Sequence, residues 1–229
     1  MNKIIYVLMI ALSLSVMPSA FAGQSHGLFV AYKNKDEVGY QQWRKNTMPL
    51  FQKHQCKSFR VGKIAATQGP LQWSESDHFT LLTCASPVLS SLVAGGYYKM
   101  LSGVVDNLRM AEGMLNIMLN EKNTLSPTSE YIIKVSYYNN LDVEGRNAEL
   151  MEIGQQSTKI SKSWTNDAVL TPTASMGFFR PDELTFLYYA ESGQGKKFRE
   201  NNPDMIKTIG AFNQNHTLDF AYLIGQSMP

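Results

Sequence analysis

Histidine and cysteine, the residue types that most often do chemistry, are few in this chain, which has four histidines and two cysteines. No HxH, HxxxH or CxxC pattern occurs, so no two of them have the spacing of a metal site. We therefore predict no metal site and no bound cofactor. His54, His78 and His216 are expected to be solvated or hydrogen-bonded structural residues, with a metal or haem ligand as the alternative for each. No GxSxG elbow for a serine nucleophile occurs either.

Three methionines form a first candidate for a ligand-facing set. Side chains alternate along a strand, which puts Met110, Met114 and Met118 on one face together with Glu112 and Asn116. Flexible thioethers could accept an apolar ligand or a partner and, in an exported protein, Cu(I). Packing between sheets is the other explanation of this pattern.

Paired tyrosines form a second candidate. Because neighbouring strand residues point to opposite faces, one ring of each pair can face the interior of the fold. Tyr137, together with Tyr188 or Tyr189, could then line an amphipathic pocket in the second half of the chain. Ordinary packing of aromatic residues on a sheet is the alternative.

The charge of the chain is nearly balanced, with 21 basic and 19 acidic residues and no block of like charge. A protein that binds duplex nucleic acid usually carries a basic stripe, so we expect no nucleic-acid partner. Hydrophobic residues make up 44% of the chain, which is enough for a folded core.

The first 22 residues have the layout of a cleavable secretory signal. Lys3 precedes an apolar segment, Ile4–Val16, and Pro18 breaks the helix ahead of the small residues Ala20 and Ala22. The apolar segment is shorter than the roughly 20 residues that span a bilayer. We expect a mature, soluble chain that begins near Gly23 and is secreted to the periplasm or to the outside of the cell.

The rest of the chain repeats one order of elements, strand-helix-strand-strand-helix-strand. This order predicts an α+β protein of two tandem ferredoxin-like units, residues 23–122 and 131–229, joined by a linker at 123–130. Helices are predicted at 36–54, 89–108, 142–164 and 196–215, the last split before Pro203. The predicted strands are Gly27–Tyr32, Ser58–Ala66, Phe79–Cys84, Met110–Leu119, Tyr131–Tyr138, Ala168–Phe179, Leu184–Ala190 and Leu218–Ile224.

The two cysteines test the hairpin between the second and third strands. Antiparallel partners share a constant sum of residue numbers, and Cys56 and Cys84 add up to the value that a turn centred near Pro70 requires. Thiols placed opposite each other in this way suit a bridge, and an oxidising compartment forms one. We expect a Cys56–Cys84 disulfide, with two buried free thiols as the alternative.

The repeated order of elements resembles that of the dimeric α+β barrel superfamily. The end of the first helix, Trp43–Phe51, is similar to the same segment in small antibiotic-monooxygenase-like members. The resemblance implies that two ferredoxin-like sheets pack face to face and form within one chain the barrel that relatives build from two. Enzymes of the superfamily include cofactor-independent oxygenases, haem-degrading enzymes and haem peroxidases, and many members have no known activity.

No catalytic signature of the superfamily matches this sequence. We therefore expect a non-catalytic binding or interaction protein rather than an enzyme, secreted to act outside the cell. Its partner would be a protein or a small apolar ligand, without nucleic acid or a membrane span, and the chain would be a monomer or homodimer. The alternative is a cofactor-independent monooxygenase or haem-handling enzyme of the dimeric α+β barrel class.

Overall fold

The computed structural model describes residues 21–73, 76–118, 129–160, 164–189 and 191–228. The first half of the described chain runs β1 (Phe21–Asn34), α1 (Glu37–Lys53), β2 (Lys57–Gln68), β3 (His78–Cys84), α2 (Leu89–Ala94), α3 (Tyr97–Val104) and β4 (Val105–Met118). The second half runs β5 (Glu130–Tyr138), α4 (Val143–Ile160), β6 (Trp164–Met176), β7 (Glu183–Tyr189), α5 (Gln194–Asn201), α6 (Pro203–His216) and β8 (Thr217–Ser227).

The strands close into one antiparallel barrel in the order β1-β3-β2-β8-β5-β7-β6-β4. Each half keeps the strand order of a ferredoxin-like sheet, β4-β1-β3-β2 in the first and β8-β5-β7-β6 in the second. The two sheets join through their edges, where β2 pairs with β8 and β4 pairs with β6. The predicted α+β class and the barrel within a single chain are therefore confirmed.

Side chains along each strand point alternately into and out of the barrel. The core therefore has an inner part inside the barrel and an outer part between the strands and the helices. On β1, Phe29 and Ala31 point into the barrel, where they join an apolar cluster drawn from both halves. Leu28, Val30 and Tyr32 point outward and pack beneath the helices of the first half. The helices thus cover the outside of the barrel, and apolar side chains pack between them and the sheets.

The helices of the structure differ from the predicted ones where backbone conformation or strand pairing ends a helix. The helix predicted over 89–108 is two helices, because Gly96 adopts a left-handed conformation with φ 73°. It also ends earlier, since Val105 already pairs with Asn34 of β1. Trp164, predicted at the end of a helix, begins β6 instead. The predicted break before Pro203 is confirmed, because α5 ends at Asn201 and α6 begins at the proline.

The predicted disulfide is confirmed: Cys56 and Cys84 are bonded, with their Cα atoms 4.0 Å apart. The bridge continues the register of the hairpin, in which Lys57 lies opposite Thr83. It connects the segment that follows α1 to the end of β3. The helix that covers the first sheet is therefore tied covalently to that sheet.

A buried ion pair crosses the barrel from wall to wall. Arg60 on β2 donates two hydrogen bonds to Asp167 on β6, from Nε to Oδ2 at 2.6 Å and from Nη2 to Oδ1 at 2.7 Å. The two strands are four places apart in either direction around the barrel, so they stand opposite each other. Burial raises the pKa of Asp167, and the hydrogen bonds from Arg60 oppose that shift.

The predicted signal, residues 1–22, lies outside the described residues except for its last two, with which β1 begins. Leu119, Ala190 and most of the predicted linker also lie outside them. The cleavage site and the unit boundaries remain predictions. None of the helices in the described ranges has the length and apolar character needed to cross a membrane.

Candidate active site

The candidate site is a cleft of about 360 Å³ between α1 and the outer face of β1, β3 and β2. This volume lies in the range of sites that bind small molecules, about 300–1,000 Å³. Apolar and aromatic side chains form most of its lining, and a few polar groups gather on one side. That combination is typical of a site that binds a ring compound and fixes its orientation.

A histidine–carboxylate pair lies in the polar wall of the cleft. His78 Nδ1 is 2.6 Å from Asp77 Oδ1, and the same oxygen accepts the backbone N–H of Asn34 at 3.0 Å. Since Asp77 can only accept there, the neutral imidazole carries its proton on Nδ1 and leaves the lone pair on Nε2. Nε2 makes no hydrogen bond to any residue in the described ranges. It can therefore take a proton from a ligand.

Two tyrosines continue this wall. The His78 ring stacks on Tyr32, its cross-strand partner, with ring centroids 5.3 Å apart and planes 10° apart. The Tyr32 ring lies 5.0 Å from that of Tyr40 on α1. Burial raises the pKa of Tyr32 far above its ordinary value, with Tyr40 adding to the shift. Tyr32 therefore remains a neutral hydroxyl in the cleft at any physiological pH.

Charged groups on exposed turns of α1 border the cleft. Glu37 accepts hydrogen bonds from Gln41 at 2.6 Å and from the side chain of Asn34, and these bonds lower the pKa of its carboxyl group. Arg44, further along the helix, acts electrostatically on both Glu37 and Tyr32. The cleft thus has an ionised carboxylate and a guanidinium on the same helix.

The aromatic wall of the cleft is held rigidly. Trp43 is buried, and its Nε1 donates to the carbonyl of Tyr97 at 2.9 Å. Its ring stacks on Tyr40 at 5.8 Å and meets Phe51 edge-on at 6.1 Å. The disulfide contributes Cys56 to the lining, next to the end of α1. A planar ligand would thus find a preformed aromatic surface beside a base.

The second half lacks this arrangement. In the strand pairing Ser136 lies opposite Glu183, as Tyr32 lies opposite His78 in the first half. A serine and a glutamate therefore occupy the places of the tyrosine and the histidine. The second half therefore has no histidine–carboxylate pair at the corresponding place of its sheet.

The methionines predicted to face a ligand lie elsewhere. Met110 is fully buried in the outer core of the first half, and Met114 is 43% exposed. Glu112, on the same face, accepts the backbone N–H groups of Val88 and Leu89 at the start of α2. That face of β4 therefore meets the helices, and neither described methionine lines the cleft. The side chain of Met118 lies outside the described residues.

The predicted tyrosine pocket is not formed. Tyr188 is buried inside the barrel, with its hydroxyl 2.9 Å from Ser129 Oγ. Tyr137 donates to the carbonyl of Phe179 at 2.6 Å. Tyr188 pairs with Tyr131, six residues along β5 from Tyr137, so the two rings are roughly 20 Å apart along the strand. Tyr189 points the other way, into the outer core.

Only one of the three predicted histidines lies at the cleft. His54 is hydrogen-bonded to Ser86 Oγ at 2.8 Å, and His216 lies 3.2 Å from Glu149 Oε1. His78 is the exception, and the sequence prediction missed its partner Asp77. The described residues contain no cluster that could hold a metal ion.

The signal that could have found this site is the Asp77–His78 dipeptide ahead of an alternating strand. Its partners Tyr32 and Tyr40 are more than thirty residues away in sequence and come together only through the pairing of β1 with β3 and the packing of α1. A short motif can therefore indicate the histidine–carboxylate pair, but not the tyrosines that complete the site.

Comparisons with solved structures show how widely this fold is shared. A protein described as anthrone oxidase-like aligns with a TM-score of 0.59 and 9% identity, over 92% of this chain and 94% of that one. A mutant chlorite dismutase from Candidatus Nitrospira defluvii aligns with a TM-score of 0.53 and 12% identity, over 91% and 94%. A candidate monooxygenase from Fusobacterium nucleatum aligns with a TM-score of 0.56 and 11% identity, over the same shares.

No protein-family model matches the sequence, and no curated protein does. The similar structures are dimeric α+β barrel proteins, which confirms the predicted resemblance of the fold. Their descriptions are those of enzymes, and this corrects the expectation of a non-catalytic binding protein in favour of the enzyme alternative. That expectation was based on missing motifs, whereas the histidine–carboxylate pair forms through folding.

Proposed function

We propose that this protein is a cofactor-independent oxygenase that binds a hydroxyaromatic compound in the cleft beneath α1. The observation that carries the proposal is His78, which Asp77 holds through Nδ1 beside a stacked aromatic wall, while Nε2 has no hydrogen-bond partner among the described residues. An imidazole in this setting is a general base near neutral pH. The shared fold with an anthrone oxidase-like protein supports the same reaction class.

The chemistry needs no metal when the substrate itself supplies the electrons. A polycyclic phenol whose keto tautomer carries a CH₂ group loses a proton to Nε2 of His78. The resulting anion passes electrons to O₂. Overall the CH₂ group becomes C=O, one oxygen atom enters the product, and the other leaves as water with the two hydrogens. The protein has to bind the ring, take the proton and exclude bulk water.

The neighbouring groups fit supporting roles in this step. Trp43 and Tyr40 line the cleft and would contact the ring of the substrate. Tyr32, kept neutral by burial, can donate a hydrogen bond to the developing oxyanion. Arg44 places positive charge at the same end of the cleft. Together these groups favour the anionic form of the substrate over the neutral form.

Oxygen consumption tests the proposal directly. Purified protein covering residues 23–229 would be mixed with anthrone and with naphthols, and O₂ uptake and quinone absorbance would be followed. We expect uptake with at least one of these compounds, and a loss of about 100-fold or more in His78→Gln. His26→Gln is the matched control, because His26 lies on β1, the strand next to β3, but does not line the cleft. Equal rates in His78→Gln and the unmodified protein would refute the assignment.

We also propose that the protein acts outside the cytoplasm. The signal-like residues 1–22 and the Cys56–Cys84 disulfide support this, since such bonds persist in oxidising compartments. Sequencing the N-terminus of the protein from cell fractions tests the proposal. A mature end near Gly23 in the periplasm or medium is expected, and an intact Met1 in the cytosol would contradict it.

A further inference from the structure

A buried amine in the second half is not used by the proposed reaction. Lys134 lies on the outer face of β5, beneath α6. Its Nζ donates to Asn213 Oδ1 at 2.7 Å and lies 5.0 Å from the ring centre of Phe212 and 5.8 Å from that of Phe220. Its surroundings are therefore two aromatic rings and one neutral amide.

No carboxylate neutralises this amine within the described residues. The ion pairs formed there do not include Lys134. Glu183 on β7 favours the charged form of the amine from a greater distance. The other titratable groups packed around the site are Tyr222 on β8 and His216 on α6, which contacts Phe212 and pairs with Glu149 of α4. Neither tyrosine nor histidine supplies a negative charge near neutral pH.

The amide that faces Lys134 is itself fixed. Asn213 is buried, and its Nδ2 donates to the hydroxyl of Tyr222 at 2.9 Å. This bond turns Oδ1 toward Nζ of Lys134. The chain Tyr222–Asn213–Lys134 thus orients the amine and leaves two of its three positions without a protein partner in the described ranges.

The first half shows that folding does not require an amine here. Lys134 pairs with Thr185 as Val30 pairs with Thr80, so Val30 occupies the corresponding place on β1. Val30 belongs to the apolar core beneath the helices. An aliphatic side chain therefore does the packing in one unit, while the other unit has a nucleophile at the same position.

Burial has a direct chemical consequence for this amine. It lowers the pKa of Lys134 to about 8, against the opposing effect of Glu183. Near pH 7 the neutral, nucleophilic fraction is then about 200-fold larger than in a lysine with an ordinary pKa. The residue as a whole is half-buried, so part of it is exposed to solvent.

We propose that Lys134 is a covalent binding site for aldehydes and ketones with an apolar body, which the half-buried ring of Phe220 would contact. The nitrogen lone pair attacks the carbonyl carbon and forms a carbinolamine. Loss of water, which takes the carbonyl oxygen and the two amine hydrogens, leaves an imine. No oxidant or reductant is consumed. The site is independent of the cleft and of the oxygenase proposal.

Reductive trapping of the native protein tests this site. The mature chain would be treated near pH 7 with benzaldehyde and cyanoborohydride, and the labelled peptides would be quantified by mass spectrometry over time. We expect Lys134 to be labelled at least tenfold faster than Lys207, which is exposed on α6. The rate at Lys134 should level off above about pH 8, whereas the rate at Lys207 should keep rising. Equal or slower labelling at Lys134 would overturn the proposal.

Two variants separate the reactivity of the Lys134 amine from its role in packing. Asn213→Asp places a carboxylate beside Nζ, which should cut labelling of Lys134 by tenfold or more near pH 7 because it stabilises the ammonium. Lys134→Met keeps an unbranched side chain and should remove this adduct alone. If that variant does not fold, the time course of the unmodified protein still decides the matter. His78→Gln should leave the labelling unchanged, so failure of the oxygenase proposal would not affect this result.

Discussion

Asp77 determines how His78 is oriented in the cleft. One oxygen of its carboxylate accepts from both the His78 ring and the backbone of Asn34, and therefore links β3 to the end of β1. The carboxylate acts through the histidine and is a positioning residue. Its contribution can be separated from that of the base itself.

We expect Asp77→Asn to lower kcat by at least about tenfold and to leave KM nearly unchanged, because an amide no longer enforces the tautomer with its proton on Nδ1. Asp77→Glu should recover part of the rate, since a carboxylate is restored. Steady-state O₂ uptake measures both variants. A change in KM alone would mean that Asp77 shapes the pocket without orienting the base.

The buried tyrosines give a prediction for the response to pH. Burial raises the pKa of Tyr137 to about 12 and those of Tyr32, Tyr138 and Tyr189 still further. The native state therefore holds these protons more tightly than the unfolded state, and stability should fall as the pH rises above about 10. Absorbance of tyrosinate at high pH should show these residues ionising only when the protein unfolds. Ionisation of all 11 tyrosines before unfolding would contradict this.

The helix α1 forms the roof of the cleft and is anchored at both ends. Asp36 caps its start by accepting from Gly39 N at 3.0 Å, and the Asp36 backbone donates to Val104 at 3.0 Å. At the other end, His54 accepts from Ala85 N at 2.9 Å beside the disulfide. The cleft is therefore preformed rather than assembled by a ligand.

Removing the disulfide should weaken this anchoring. We expect Cys56→Ser together with Cys84→Ser to lower the free energy of unfolding by about 3–4 kcal/mol, as the chain-entropy account gives for a sequence separation of 28. Denaturant melts with and without dithiothreitol measure the effect. The unmodified protein should lose a similar amount on reduction, and the variant should not respond. A variant as stable as the oxidised protein would argue against this role.

The periodicity of apolar residues predicts most of these helices and strands. It fails where the conformation of a single residue or the pairing of a strand determines the boundary. The spacing of apolar residues beyond Gly96 continues as if one helix ran to Leu108, but the left-handed glycine and the pairing of Val105 with β1 end it sooner. The disulfide could be predicted because the hairpin register depends on residue numbers alone. The cleft could not, since Tyr40 meets Tyr32 only after α1 packs on the sheet.

Closure of the barrel places opposite charges on facing walls. Arg60 and Asp167 come from different halves and are almost completely buried, so their pairing depends on the two sheets being joined. Removing one member of such a pair leaves the other charge buried without a partner. The resulting loss of folding free energy is larger than the stabilisation that the intact pair provides.

We expect Arg60→Met to destabilise the protein by about 3–5 kcal/mol, because Asp167 is left buried and unpaired. The double variant Arg60→Met with Asp167→Leu should recover most of that loss. Thermal or urea unfolding of the single and double variants measures the coupling. Additive losses in the two substitutions would mean that the residues act separately.

The last strand of the chain has a consequence for when folding can happen. β8 is hydrogen-bonded both to β5 and to β2, so the barrel stays open until the C-terminal segment is available. Pairings between residues so distant in sequence form slowly. A nascent chain therefore cannot close its barrel before β8 has been synthesised. The proposed export would benefit from this late closure, because a chain that folds late stays unfolded for longer.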